Sequence, residues 1–313
     1  MTRKYLRRLL YLVLAPLSPP LALAFDRWLR GAREARKLRR ADAVVVSYPK
    51  SGRTWLRAFL SFYYATARGL ATAELLGFDN YHARDPSIPK ILFTHDNYLV
   101  DALGEPALER LYAARPVILL VRDPRDVVVS AFHHLRWRSD PHKKRLHGLD
   151  APQLQDLSGF LRDPRWGLSR ILAFLSRWRQ RLHRLPRVLL VRYEDLRRDT
   201  AGEFVRILRF LGEEPQPQAV ARAVAEASFA RLRERERSGA FAGGSRRLGA
   251  PVAHPDAFKV RAGEIGGWRR HFGPEDIAWI TRTMAARMPE GFGYRPEEEG
   301  ELALPVAAEG WGG

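Results

Sequence analysis

Four short apolar runs punctuate the chain, and each gives way to a polar turn. Residues 43–48 (AVVVSY), 91–93 (ILF), 117–121 (VILLV) and 188–191 (VLLV) are continuous rather than alternating, the pattern of strands buried on both faces. Helical stretches follow at 54–67 (TWLRAFLSFYYATA), at 124–137 and near 200–211. Strands alternating with helices predict an α/β domain, a central parallel sheet flanked by helices. Ligands of such sheets sit beyond the carboxyl ends of the strands. The chemically distinctive segments lie there or in a late loop.

The flanks read differently. Residues 1–8 (MTRKYLRR) are basic, and residues 9–25 carry no charge for 17 positions. Pro16, Pro19 and Pro20 would break a spanning helix there. Ala22-Leu23-Ala24 resembles a signal-cleavage site, but seven cations within 27–40 oppose translocation of that flank. The expectation is an interfacial anchor or a helix packed on the domain, with peripheral membrane contact through residues 1–40. Residues 41–296 then form one domain, and 297–313 an acidic, Gly-rich tail. Residues 233–257, rich in Arg, Gly, Ser and Pro, read as a mobile loop, either linker or lid.

Composition narrows the chemistry. With 313 residues and 46% hydrophobic content there is ample core. The absence of Cys excludes disulfides, thiolate metal sites and a Cys nucleophile. The net charge of +18 comes from seven Lys and 46 Arg against 35 acids. That excess reflects either base composition or an anionic partner: phosphate, sulfate, nucleic acid or an acidic membrane surface.

One segment is denser in anion-binding groups than the rest. In Ser47-Tyr48-Pro49-Lys50-Ser51-Gly52-Arg53-Thr54-Trp55, a strand feeds a Gly-containing turn and a helix start. Free backbone N–H groups and the helix dipole favour an anion there, and Lys50, Arg53, Ser51 and Thr54 add charge and donors. The arrangement is a P-loop-like strand–loop–helix, yet it is not GxxxxGK[ST]: Lys50 precedes the glycine.

Pro49-Lys50-Ser51-Gly52-x-Thr54-Trp55 resembles the 5′-phosphosulfate loop of sulfotransferases that use 3′-phosphoadenosine 5′-phosphosulfate (PAPS), in particular the soluble, cytosolic-type branch. Three further segments agree in order: Arg122-Asp123-Pro124-Arg125-Asp126-Val127-Val128-Val129-Ser130, Tyr193-Glu194-Asp195-Leu196, and Phe258-Lys259-Val260-Arg261-Ala262-Gly263-Glu264-Ile265-Gly266-Gly267-Trp268. The resemblance implies PAPS as co-substrate and no metal. Lys50, Ser51, Gly52, Arg53, Thr54 and Trp55 would cradle the 5′ side, with Lys50 also stabilising the leaving oxygens. Arg122, Ser130, Arg261 and Gly263 would hold the 3′-phosphate, and Tyr193 and Phe229 the adenine.

His95, in Phe93-Thr94-His95-Asp96, matches the family's general base, and an imidazole titrating near neutrality suits proton removal from an acceptor hydroxyl. Three departures stand out. Phe93 replaces a frequent Lys, Ala262 a frequent Lys of the late loop, and Ala227 a hydroxyl residue. Arg53 is expected to supply the charge lost at Phe93. The implied acceptor is a hydroxyl (or amine) on a small molecule, lipid or glycan. Trp137, Trp166 and Tyr81 are either its lining or core. PAPS use places the protein in the cytoplasm, at the inner face of a membrane if residues 1–40 hold it there. Rival readings are an ATP-dependent kinase-like phosphotransferase, a nucleic-acid binder (which lacks any recognition motif) and a relative that binds nucleotide without catalysing.

Overall fold

A computed structural model of the chain describes residues 19–71, 74–139, 144, 154–239 and 263–296. Its centre is a four-stranded, all-parallel sheet of order β2-β1-β3-β4. The strands are β1 (Ala43–Ser47), β2 (Ile91–Thr94), β3 (Val117–Val121) and β4 (Val188–Arg192). All four apolar runs are therefore strands. Because β1 is flanked by β2 on one side and β3 on the other, the strand order reverses around it. This is the position at which open α/β sheets form a crevice.

The strands alternate between two cores. Val44, Val46, Leu119 and Val121 join one layer with Leu108, Tyr112, Val127, Leu172 and Trp178. Val45, Ile118, Leu120 and Val191 join the other with Phe59, Tyr63, Phe204 and Ala223. Both faces are thus dry, which is why these runs are continuously apolar.

The helices, in chain order, begin with α1 (Pro19–Arg39), α2 (Arg53–Ala67), α3 (Leu99–Leu103), α4 (Glu105–Ala113) and α5 (Pro124–Arg138). There follow α6 (Leu157–Arg162), α7 (Leu168–Leu182), α8 (Tyr193–Arg198) and α9 (Thr200–Phe210). Last come α10 (Pro217–Glu226), α11 (Phe229–Ser238), a 3₁₀ turn (Gly267–His271) and α12 (Pro274–Arg287). Helix α1 packs on α3, where Gly31 lies so close that a Cβ would meet the Tyr98 carbonyl oxygen at 2.1 Å. Among the described residues no helix is long and apolar enough to cross a membrane.

One expectation needs correction, and one open alternative is decided. Residues 233–238 are helix, not loop. The run RLRERERS is made of good helix formers, and Leu232 and Glu236 are buried, Glu236 against Arg138 at 2.7 Å. The Gly and Ser signal begins only at Ser238, and residues 240–257 lie outside the described set. Tyr81 is core: it is fully buried and its hydroxyl donates to the Glu74 carbonyl at 3.1 Å.

Candidate active site

Beyond the carboxyl ends of the strands lies a cavity of about 910 Å³. Eleven of the thirteen site residues expected from the sequence line it: Lys50, Gly52, Arg53, Thr54, Trp55, His95, Arg122, Ser130, Tyr193, Phe229 and Gly263. Ser51 does not line it; its side chain is buried in the loop. Arg261 and Ala262 lie outside the described residues.

The loop after β1 is a strained turn. Lys50 has φ 77° and Gly52 φ 95°, and a left-handed non-glycine residue costs on the order of 1–3 kcal/mol. Turns of this sort gather successive N–H groups into an anion-binding concavity. Helix α2 starts there with no side-chain cap and no acid in its first turn, so its terminal N–H groups and dipole face the cavity end. Gly52 is required twice over. Besides its φ, a Cβ there would stand 2.7 Å from the Tyr193 ring.

Tyr193 ties three segments together. It follows β4 directly, its ring lies 5.5 Å from Trp55, and its hydroxyl donates to the Gly263 carbonyl at 3.0 Å. Gly263, with φ 64°, would drive a Cβ to 2.9 Å from the Phe229 ring. Trp55 Nε1 donates to the Ala227 carbonyl at 2.8 Å. The bond uses backbone, so the hydroxyl missing at Ala227 is not needed for it. An aromatic slot results, with burial holding the Tyr193 phenol above its usual range.

Arg122, at the end of β3, stacks over Tyr193 at 4.4 Å and donates through Nη2 to the Glu264 carbonyl at 2.9 Å. Its Nε is buried with no hydrogen-bond partner, a donor left over in a cationic site. Asp126 accepts from Gly266 N at 2.9 Å and Trp268 N at 3.0 Å, pinning the late loop to α5. Burial raises the Asp126 carboxyl above its ordinary range, against the pull of Arg122. Sequence reasoning assigned Asp126 no role, although its place within the Arg122–Ser130 segment was in view.

His95 follows β2. Its Nδ1 lies 2.8 Å from the Ser47 carbonyl oxygen. A carbonyl only accepts, so Nδ1 carries the proton and the neutral ring keeps its basic lone pair on Nε2. The next residue, Asp96, has φ 55° and is buried. It accepts from Arg181 Nη1 at 2.6 Å, from the Tyr112 hydroxyl at 3.0 Å, and its N–H donates to Thr94 Oγ1 at 2.8 Å. This network fixes the turn that carries His95.

The remaining wall comes mostly from residues the sequence did not flag. Arg27 of α1 donates to the Asn97 carbonyl at 3.1 Å and, with Arg30, lies over the Tyr98 ring. Arg57, one turn after Arg53, donates through Nε to the Leu76 carbonyl at 2.7 Å and stacks over Phe93 at 5.0 Å. A guanidinium thus lies beside the position where a Lys is absent. The signal was a second arginine four residues on in an otherwise apolar helix. Trp166 lines this wall and Trp137 does not. Burial pushes the Tyr48 phenol up to about 12, with Arg170 opposing, so it stays a neutral donor at physiological pH.

Fold and site together define an α/β protein with a cavity and an anion-binding type of loop at the switch point of a parallel sheet. A sulfotransferase-domain family model matches residues 40–292, and the chain belongs to the sulfotransferase family. It is 25% identical to a guinea-pig (Cavia porcellus) 3-alpha-hydroxysteroid sulfotransferase over 261 residues, 78% of this chain and 82% of that protein. It is 28% identical to cytosolic sulfotransferase 17 of Arabidopsis thaliana over 304 residues, 85% and 80%. Its fold is similar to that of mouse sulfotransferase SULT7A1 complexed with PAP, at TM-score 0.53 and 19% identity, covering 80% of this chain and 85% of that one. Family membership settles the class of reaction as sulfuryl transfer from PAPS, against the kinase and nucleic-acid readings. Helix α1 precedes the matched span, so its two cavity arginines lie outside that span.

Proposed function

We propose that this cavity transfers a sulfuryl group from PAPS to a hydroxyl or amine acceptor, with His95 as general base. His95 Nε2 takes the acceptor's proton as the acceptor oxygen forms the new S–O bond. The S–O bond to the nucleotide's 5′-phosphate breaks, and adenosine 3′,5′-bisphosphate leaves. Catalysis of this kind is mostly positioning and charge stabilisation. Lys50 is assigned to the bridging and leaving oxygens. Ser51, Gly52, Arg53, Thr54 and Trp55 are assigned to the 5′ cradle, Ser51 through its backbone. Arg122, Ser130, Arg261 and Gly263 are assigned to the 3′-phosphate, and Tyr193 and Phe229 to the adenine.

The observation that carries the proposal is the bond from His95 Nδ1 to the Ser47 carbonyl. It spends one ring nitrogen at the foot of the anion loop, which supports the other as the base in the same cavity. The buried, partnerless Nε of Arg122 supports a further anion at the β3 end. The hydroxysteroid relative's name supports a hydroxyl acceptor, and the name of a rabbit relative, amine sulfotransferase, keeps amines in the reading.

The test pairs binding with turnover in wild type and His95→Ala. Adenosine 3′,5′-bisphosphate at 100 times Kd adds about 2.7 kcal/mol, which raises Tm by about 4 °C at this size. Both proteins should show that shift, with ATP and AMP giving little. His95→Ala should transfer sulfuryl from PAPS to a phenol about 10²-fold more slowly or worse. A shift with ATP alone overturns the nucleotide assignment. Undiminished turnover in the variant overturns the base, and binding without turnover in wild type identifies a non-catalytic relative.

A further inference from the structure

Helix α1 has a second face that the cavity does not use. Leu21, Phe25 and Trp28 stand at i, i+4 and i+7 and are 69%, 37% and 45% exposed. They form one stripe along the first half of the helix, with the exposed Ala24 beside them. Among the described residues only one other large hydrophobic, Ile265, is exposed. The Phe25 and Trp28 rings stack at 6.1 Å. The helix is anchored from behind by buried Ala22, Asp26, Gly31, Ala35 and Leu38.

The charge around the stripe identifies its partner. Arg36, Arg39 and Arg40 are exposed along and just after the second half of α1. The two acids of the helix are withdrawn: Asp26 is buried against Arg30 at 2.8 Å, and burial holds the Glu34 carboxyl above its ordinary range. In the amino-acid sequence, residues 1–18 add Arg3, Lys4, Arg7 and Arg8 and no acid. An aromatic-aliphatic stripe continued along the same helix by exposed cations is the pattern of a helix that lies in a membrane interface: apolar side chains enter the acyl boundary, Trp settles at headgroup depth, and arginines meet anionic headgroups. No described helix is long and apolar enough to span a membrane.

We infer that α1 is an interfacial helix that seats this protein on an anionic lipid bilayer through Leu21, Phe25 and Trp28. The same helix supplies Arg27 and Arg30 to the cavity, so the docked face adjoins the wall beside His95. An acceptor carried by a lipid then meets that wall without leaving the membrane surface, a consequence that rests on the sulfotransferase reading, whereas the docking itself does not.

Vesicle partitioning of the full chain tests the docking without any turnover assay. The protein should float with phosphatidylcholine vesicles containing phosphatidylglycerol, less with phosphatidylcholine alone, and dissociate as salt rises. The variant Leu21→Ser/Phe25→Ser/Trp28→Ser should partition about 100-fold more weakly while keeping its Tm and its bisphosphate shift. Should that variant fold poorly, Arg36→Gln/Arg39→Gln/Arg40→Gln should weaken binding to the anionic vesicles about 100-fold. Three results overturn the inference: no vesicle binding by wild type, binding unchanged in both variants (which assigns it to residues 1–18), or a wild-type dimer that the serine variant dissociates (which assigns the stripe to a second copy).

Discussion

Arg122, His95 and Tyr193 each stand one residue past the end of a strand, whereas Arg27, Arg30 and Arg170 reach the same cavity from the bodies of helices. The first group borders the proposed nucleotide half, along with the loop after β1. Its positions are set by sheet register and by backbone: two left-handed residues in the β1 loop, carbonyls of Ser47, Gly263 and Glu264 as acceptors, and N–H groups of Gly266 and Trp268 as donors. The second group lines the proposed acceptor side. Its members are long side chains whose placement depends on how α1 and α7 dock. A ligand common to a family favours the first construction, since backbone cannot drift with substitution. A ligand particular to one protein favours the second.

Lys50 offers the sharpest way to break this contrast, because its side chain and its backbone make opposite demands. At φ 77° it carries strain that Gly would not, while Gly gives up about 0.5–1 kcal/mol of chain entropy. Lys50→Gly should therefore leave stability unchanged or raise it by about 1 kcal/mol. Loss of the ammonium should lower kcat by about 10²-fold or more. Denaturant unfolding beside steady-state turnover checks both. A variant that is less stable and still active would mean the turn is relaxed and the charge idle.

Asp126 probes the opposite edge of the nucleotide half. Asp126→Ala strands the N–H groups of Gly266 and Trp268 and should cost about 1–3 kcal/mol of stability. Because the late loop would lose its tie to α5, the Kd for adenosine 3′,5′-bisphosphate should rise about 10-fold. At saturating PAPS, kcat should stay near wild type. A fall in kcat with unchanged Kd would show that Asp126 serves the reacting atoms instead of the loop.

The same contrast explains what was legible in the sequence. Strands 43–47, 91–94 and 117–121 were readable because burial on both faces leaves unbroken apolar runs, the half-buried edge strand 188–192 because it packs on both cores as well, and the β1 turn because Lys-Ser-Gly before a helix has few conformational solutions. Residue type alone did not separate Ser51, buried behind the loop, from Thr54, which lines the cavity. Tyr81 and Trp166 were equivalent as candidates, yet one fills the core and the other the wall, a choice made by packing of distant elements. Arg57 and the Asp96–Arg181 pair were hidden for the same reason. Their partners lie 19 and 85 residues away.

Arg27 gives the smallest effect and the closest test of the division. Its ion pair with Asp101, at 2.8 Å, is about a third exposed on each side, and such pairs contribute about 0.2–1 kcal/mol. Arg27→Gln should therefore change stability by less than about 1 kcal/mol. It should leave the bisphosphate-induced Tm shift intact, since Arg27 touches the turn after His95 and none of the proposed nucleotide contacts. What should change is acceptor kcat/KM, about 5-fold for a weakening near 1 kcal/mol, because the cation beside His95 would be gone. The direction of that change is informative as well. A decrease for acceptors bearing a negative group and none for a neutral phenol would show Arg27 contacting the acceptor, while an equal decrease for both would show it holding the Asn97 carbonyl and, through it, the imidazole. If nucleotide binding weakened instead, the two halves would be coupled through β2, and the cavity would have to be treated as one site built around His95.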